Sequence, residues 1–323
     1  MDKGLADTLT LISGGLEEFE KRFAEELGGH AGLIGAMAAH VLASPGKRIR
    51  PAMYLLSSYV HTPDRQVTIE GAVAIELIHT ATLLHDDVND NADQRRGRPS
   101  ANRIWGNLAA VLMGDHLFAK AFRVMVDTGN PRILRTISLA TERVAVGELL
   151  QLQETGNIAA TEAIYLRIIG DKTASLFSAA CEAGALTHGN EQWGERFRSF
   201  GEYVGLGFQI ADDLLDYWGD TARTGKPTGN DLKAGKVTLP LIYALRDAQD
   251  SERRDIARVL TGGSDNGIGE VVDFVRARGG FAYAQAKAEN FRNLALEQIA
   301  DLADSAYKRA LIEVVNHSVS RQS

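Results

Sequence analysis

Residues 68–91 read TIEGAVAIELIHTATLLHDDVNDN, and this stretch decides the fold class. Val73, Ile75, Leu77, Ile78, Ala81, Leu83 and Leu84 recur at spacings that gather them on one broad helical face. The stripe runs straight into Asp86, Asp87 and Asp90. Thr68 is placed as the N-cap, with the helix ending near Asn91. Working outward, Leu149, Leu150, Leu152, Ile164, Leu166 and Ile168 behave the same way. Proline, which breaks helix interiors, occurs seven times, at Pro45, Pro51, Pro63, Pro99, Pro131, Pro227 and Pro240. Average usage of ~5% would give roughly sixteen. The long stretch between Pro131 and Pro227, and everything after Pro240, has none. No alternating Val/Ile/Thr-rich runs pair with one another, and Asn266-Gly267 joins no such runs. The expectation is an all-α chain.

Roughly a dozen helices are expected, near 4–28, before Pro45, from Pro51 to Val60, over 68–91, and at 107–128, 132–157, 160–189 and 193–219. Shorter ones follow Pro240. Turn chemistry marks Ser44-Pro45-Gly46, Arg96-Gly97-Arg98-Pro99, the stretch from Gly219 to Gly235, Gly262-Gly263-Ser264 and Gly279-Gly280. No linker or composition shift divides the chain, so residues 1–323 are read as a single domain.

Composition narrows the function. The chain has 323 residues, 35 Lys+Arg against 42 Asp+Glu for a net charge of −7, and is 45% hydrophobic. That excludes a disordered chain and argues against a nucleic-acid binder, which needs a basic surface. Cys181 has no partner for a disulfide. No uninterrupted apolar run reaches the ~18 residues of a membrane span; Ile104–Phe122 is broken by Asn107, Asp115 and Lys120. The opening MDKGLADTLT lacks the order of a signal peptide. A cytoplasmic protein is expected.

Residues 81–90, ATLLHDDVND, are echoed at 207–216 by GFQIADDLLD. Both end an apolar helical stretch in Asp-Asp-x-x-Asp. The first and last Asp of each lie at i and i+4 on one face, where two carboxylates repel unless a cation joins them. Such a pair suits Mg²⁺, which takes oxygen ligands and keeps water or phosphate oxygens. One acidic run could be a solvated helix end. Two, each behind an apolar stripe, point to a metal site. Arg95, Arg96 and Arg98 follow the first motif directly, and Gly46-Lys47-Arg48-Ile49-Arg50-Pro51 is a second compact basic loop. Guanidinium forks grip phosphate oxygens. Lys172-Thr173, Gly225-Lys226-Pro227 and Lys236 add lysines near Gly-containing turns. Together they suggest two polyphosphate pockets. Weaker patterns fall away. Glu76-Leu77-Ile78-His79 is a lone Glu-x-x-His where a di-iron bundle needs two. There is no phosphate loop, no His-Glu-x-x-His and no Gly-x-Ser-x-Gly.

The ordered set resembles the trans-isoprenyl diphosphate synthases, or polyprenyl synthetases, over Gly46 to about Leu245. The resemblance rests on 83–90 followed by Arg95-Arg96-Gly97-Arg98-Pro99, then 207–216, Gly225-Lys226-Pro227, Gly229-Asn230-Asp231 and Lys236-Val237-Thr238-Leu239-Pro240. It implies a bundle of antiparallel helices around a deep central cavity, usually as a homodimer. By the same resemblance, Asp86 and Asp90 bind two Mg²⁺ ions and Asp212 a third, with Asp87, Asp213 and Asp216 in support. Arg95, Lys172, Thr173, Gln209, Lys226 and Lys236 hold the allylic diphosphate. Lys47, Arg50, His79 and Arg96 hold isopentenyl diphosphate. The family's basic loop commonly begins Gly-Gly, where this chain has Pro45-Gly46, and Asn89 replaces an aliphatic residue. Neither departure removes a ligand.

The implied reaction condenses isopentenyl diphosphate with an allylic diphosphate into an all-trans polyprenyl diphosphate. Residues four and five before the first Asp are Thr82 and Ala81. Both are small, and in this family small residues there let the tail pass, with Phe118 or Phe122 as a floor. A product longer than farnesyl is therefore expected, from a medium- or long-chain synthase. The alternatives are a shorter-chain farnesyl or geranylgeranyl synthase, a class I terpene cyclase, a partner-dependent subunit of a heteromeric synthase and an isoprenoid-binding scaffold.

Overall fold

The computed structural model describes residues 9–44, 46–61, 65–188, 191–218, 229–262 and 267–319. Pro45, Pro63 and the Gly225-Lys226-Pro227 segment lie outside them. The described residues form sixteen α-helices in chain order. These are α1 (Ser13–Leu27), α2 (Gly32–Leu42), α3 (Ile49–Tyr59), α4 (Arg65–Asn89), α5 (Ala101–Trp105), α6 (Asn107–Asp127), α7 (Pro131–Glu154) and α8 (Glu162–Ile169). After them come α9 (Ser175–Ala185), α10 (Glu191–Trp218), α11 (Asn230–Lys233), α12 (Leu239–Ala244), α13 (Asp250–Gly262), α14 (Ile268–Ala277), α15 (Gly280–Gln298) and α16 (Ala306–Val319). The all-α expectation holds. Among the described residues the strands are two-residue pieces, β1 (Gln94–Arg95) and β2 (Arg98–Pro99), paired antiparallel with Arg95 opposite Arg98. Arg96 (φ 51) and Gly97 (φ 74) both take positive φ between them, the backbone of a type I′ hairpin turn.

Two local expectations need correction. Thr68 is not a cap: α4 begins one turn earlier at Arg65, and Thr68 is buried with its Oγ1 2.9 Å from Ser58 Oγ. A buried hydroxyl with a buried partner serves the core better than a helix end would. The stretch 160–189 is not one uniform helix. It is α8, a π-helical turn over Gly170–Ala174, α9, and a 3₁₀ turn at Leu186–His188. Lys172 and Thr173 lie within the π-helical turn that Gly170 opens.

The chain groups into two compact units, each discontinuous in sequence. One comprises 1–141, 176–199 and 301–314. Its axis is α4, buried from Thr68 through Ala81 on nearly every side, and its core gathers Phe19, Phe23, Tyr54, Leu55, Ile75, Phe177 and Phe197. By length and composition alone α4 could cross a membrane, but 78% of its most apolar window is buried against its neighbours. The other unit comprises 142–175, 200–300 and 315–323. One of its clusters joins Tyr165, Ile169, Ile210, Leu214, Leu239, Ala284 and Phe291, and a second joins Tyr217, Leu241, Leu260, Val271 and Val275.

Candidate active site

Helix α4 stops in a Schellman turn. Asn91 adopts the left-handed conformation (φ 47), Ala92 N donates to Asp87 O (2.9 Å) and Asn91 N to Val88 O (3.2 Å). The stop leaves Asp86, Asp87 and Asp90 in the final turn, at the end where the helix dipole is negative. Carboxylates there are disfavoured until a cation joins them. Asp86 is half-buried and Asp90 exposed, one turn apart on a shared face. Asp87 turns inward: it is 3% exposed and accepts from Arg95 Nε (2.8 Å) and Nη2 (2.5 Å). Burial raises the Asp87 pKa in spite of that partner.

The second motif repeats the placement near the end of α10. Asp212 is exposed, Asp216 half-buried and Asp213 4% exposed. Asp213 accepts from Tyr165 OH (2.6 Å) and Gln209 Nε2 (2.7 Å), while Gln209 Oε1 accepts from Thr173 Oγ1 (2.8 Å). Burial, reinforced by the charge of Asp231, holds the Asp213 pKa well above the usual carboxylate range. The Asp216 carboxylate accepts from the N–H groups of Asn230 (3.2 Å) and Asp231 (2.9 Å), which pins the chain leading to Lys236. Lys236 Nζ lies 3.3 Å from Asp231 and Lys172 Nζ 2.6 Å from Glu148. A cavity of about 110 Å³ is lined by Tyr165, Lys172, Thr173, Gln209, Asp213 and Lys236, among others.

The basic set beside the first motif is built on α3 and α4. Arg48 precedes α3 in the left-handed conformation (φ 52). Its guanidinium binds Glu20 (2.7 Å) and Glu76 (2.6 Å) and lies over the Phe23 ring at 4.9 Å. Arg48 is thus committed to the fold. Lys47 is exposed. Arg50 lies over Phe177 at 4.4 Å and donates through Nη1 to His79 Nε2 (3.2 Å). Its Nε is buried with no hydrogen-bond partner. Burial, with the Arg96 charge, pulls the Arg50 pKa down to about 10, and burial with Arg50 holds His79 well below the ordinary imidazole value. Arg96 Nη1 donates to Ser44 O (2.6 Å) and Arg98 Nη1 to Ala43 O (2.8 Å), so the hairpin grips the end of α2. A second cavity, about 60 Å³, is lined here by Arg48, Glu76, Asp87, Arg95 and Arg96, among others. Crowded cations with an orphaned donor suit an anion.

Ala81 is fully buried and Thr82 half-buried on α4. On α6, Phe118 is half-buried with its ring 5.7 Å from that of His85, whereas Phe122 is 43% exposed. Among the described residues no three His, Cys, Asp or Glu side chains already converge on one point. Asp86 with Asp90, and Asp212 apart from them in sequence, leave most of a coordination sphere to water or phosphate oxygens. That donor set fits Mg²⁺.

The family model for polyprenyl synthetase matches residues 32–276. The chain belongs to the polyprenyl synthetase family. It is 37% identical over 316 residues to an all-trans-nonaprenyl-diphosphate synthase (geranyl-diphosphate specific) of Rhodobacter capsulatus, covering 98% of this chain and 97% of that one. It is 36% identical over 299 residues to the octaprenyl diphosphate synthase of Escherichia coli, covering 92% and 93%. The solved polyprenyl synthase from Caulobacter crescentus, complexed with calcium and isoprenyl diphosphate, superposes over the full length of both chains with TM-score 0.94 and 34% identity. This polyprenyl synthetase is therefore a prenyltransferase with the all-α isoprenoid synthase fold. It condenses isopentenyl and allylic diphosphates into a polyprenyl diphosphate, chemistry that is Mg²⁺-dependent in its family.

Around the residues read from the sequence, the synthetase places others to which the sequence reading gave no role. Tyr165 orients Asp213, Glu148 pairs with Lys172, and Asp231 pairs with Lys236. Tyr165 and Glu148 sit among apolar residues whose helical period masked them. Asp231 stood in the Gly229-Asn230-Asp231 motif without a role of its own, because nothing local shows that it faces Lys236. Lys226 lies outside the described residues.

Proposed function

We propose that this polyprenyl synthetase makes an all-trans product longer than farnesyl, with Asp86 and Asp90 holding two Mg²⁺ ions and Asp212 a third. The observation that carries this reading is the twinned carboxylate ending. Each motif closes a helix at its negative pole, beside a basic set and a cavity of its own. Mg²⁺, when bound, supplies positive charge that offsets the charge growing on a departing diphosphate. Arg95, Lys172 and Lys236 add to that stabilisation as the allylic C–O bond breaks. Lys226 belongs to the same set by its motif. Asp87, Asp213 and Asp216 support it from behind: Asp87 holds Arg95, Asp213 holds Gln209, and Asp216 holds the approach to Lys236.

Lys47, Arg50 and Arg96 hold isopentenyl diphosphate, Arg50 through its orphaned Nε. His79 stays neutral and accepts from Arg50, so it steadies the cation without adding to its charge. With both diphosphates fixed, joining the isopentenyl double bond to the allylic cation becomes a positioning task. Apolar helix faces exclude the water that would trap that cation. The proton lost at the end passes to the released diphosphate.

Product length follows from Ala81 and Thr82, which leave room beside the reacting end. The floor is assigned to Phe118, packed beside His85, in preference to Phe122 on an exposed stripe. That stripe on α6, Leu108 (74% exposed), Leu112 (57%), Phe122 and Val126 (61%), supports a homodimer. The two interleaved units are read as one catalytic domain, since neither is a continuous piece of chain, in a cytoplasmic enzyme.

The test is product sizing. The purified protein is incubated with Mg²⁺, labelled isopentenyl diphosphate and, separately, dimethylallyl, geranyl or farnesyl diphosphate. A ladder ending at one chain longer than farnesyl is expected, shortened by Ala81→Phe and abolished by Asp86→Ala or Asp212→Ala. Products stopping at farnesyl would overturn the length assignment. No extension with any primer would favour a partner-dependent subunit.

A further inference from the structure

The allylic side of the site depends on a break in helix geometry. Between α8 and α9 the backbone closes one π-helical turn, Gly170–Ala174, in which Ser175 N donates to Gly170 O. Lys172 and Thr173 sit inside it. A π turn holds one residue more than an α turn and recurs at functional sites; it persists where surrounding structure fixes it. Three neighbours fix this one. Gly147 on α7 and Gly205 on α10 press against it closely. A Cβ on Gly147 would overlap the Lys172 backbone nitrogen, and a Cβ on Gly205 would overlap Ala174 Cα.

The third neighbour is Arg143 on α7. Its Nε donates to Asp171 Oδ1 (2.8 Å) and its Nη2 to the Gly170 carbonyl (3.1 Å). Nη1 and Nη2 also grip the Glu202 carboxylate of α10 at 3.0 and 2.7 Å. All three guanidinium nitrogens are engaged, and the planar fork holds both partners in fixed directions. The Glu202 hydrogen bonds, with Asp171, raise the Arg143 pKa above the ordinary guanidinium value. Gly170 and Asp171 immediately precede Lys172. No sequence motif drew attention to Arg143, and the reaction as described gives it no part.

We propose that Arg143 is a positioning residue for allylic diphosphate binding, holding the π-helical register that aims Lys172 and Thr173. It acts through Gly170 and Asp171 and touches no substrate. The proposal rests on the assignment of Lys172 and Thr173 to the allylic diphosphate.

Steady-state kinetics with farnesyl and isopentenyl diphosphates test it, using Arg143→Ala, Arg143→Lys and Lys172→Ala. Arg143→Ala should raise KM for the allylic primer about tenfold, in the range a small misplacement produces, and leave KM for isopentenyl diphosphate within about twofold. Guanidinium ion added below denaturing concentration should restore much of the loss. Arg143→Lys keeps the charge and loses the fork, so it should show the same raised allylic KM without rescue by guanidinium. That variant carries the comparison should Arg143→Ala fail to fold. An unchanged allylic KM would overturn the proposal. So would a loss spread evenly over both KM values and kcat with a lowered Tm, which is the mark of a simple brace. If Lys172→Ala also leaves the allylic KM untouched, the site assignment has failed and the proposal falls with it.

Discussion

His79 illustrates what a single buried base does to this protein. Burial, joined by the charges of Arg50 and Arg96, keeps it neutral in the folded chain. In the unfolded chain it regains the ordinary value near ~6.5. Below that pH the unfolded chain takes up a proton that the folded chain refuses, so stability falls as pH drops. The slope is up to about 1.4 kcal/mol per pH unit for each such group. His61 and His116, also held low by burial, act in the same direction. His79→Gln should make the decline between pH 7 and 5 shallower in urea unfolding; an unaltered decline would mean that His79 titrates normally. At this scale the sequence was most legible for Asp86, Asp90 and Asp212, whose spacing alone puts carboxylates on helix faces. It was opaque for Arg48, which stands in a basic run with Lys47 and Arg50 yet spends its charge on Glu20 and Glu76. Nothing local separates a cation that braces from one that binds, because the carboxylates deciding it are 28 residues away on either side.

Among the elements, α10 carries a tight demand. Gly205 lets it approach the π-helical turn to a distance that excludes a side chain. Because the atom in the way belongs to the Ala174 backbone, Gly205→Ala cannot be absorbed by a rotamer change. It should cost roughly 1–3 kcal/mol, the usual range for overpacking, as read from denaturant midpoints at unchanged m-value. A loss below a few tenths would mean the contact is looser than described. Long helices such as 107–127 and 131–154 were readable to within a few residues, since periodicity and Pro131 mark them. The π turn was not, because one extra residue in a buried helix leaves the apolar composition unchanged. The small helix Ala101–Trp105 was missed as well, as was the strand pairing at 94–99, although its turn at Arg96-Gly97 was marked. Both are set by chain geometry after α4 stops, and a five-residue helix is too short to show a period.

For the whole molecule, the exposed stripe on α6 is a feature that an isolated chain leaves unexplained. Leu112→Asp should move the protein towards monomer in sedimentation equilibrium, with the helical signal retained; an unchanged assembly would place any interface elsewhere. The all-α class was legible from end to end, but the interleaving of two compact units was not. Each unit draws on three separated stretches of chain, and no composition shift accompanies the change from one to the other. Helix α4 has a consequence in time as well as in space. Its most extensive partner, α6, is completed only about 40 residues later in the chain. At synthesis rates of ~5–20 residues per second, a segment apolar enough for a bilayer emerges from the ribosome seconds ahead of the helix that will cover it. For that interval the nascent chain presents an apolar surface of the kind a chaperone or a membrane-targeting factor recognises, with α1 and α3 already made beside it.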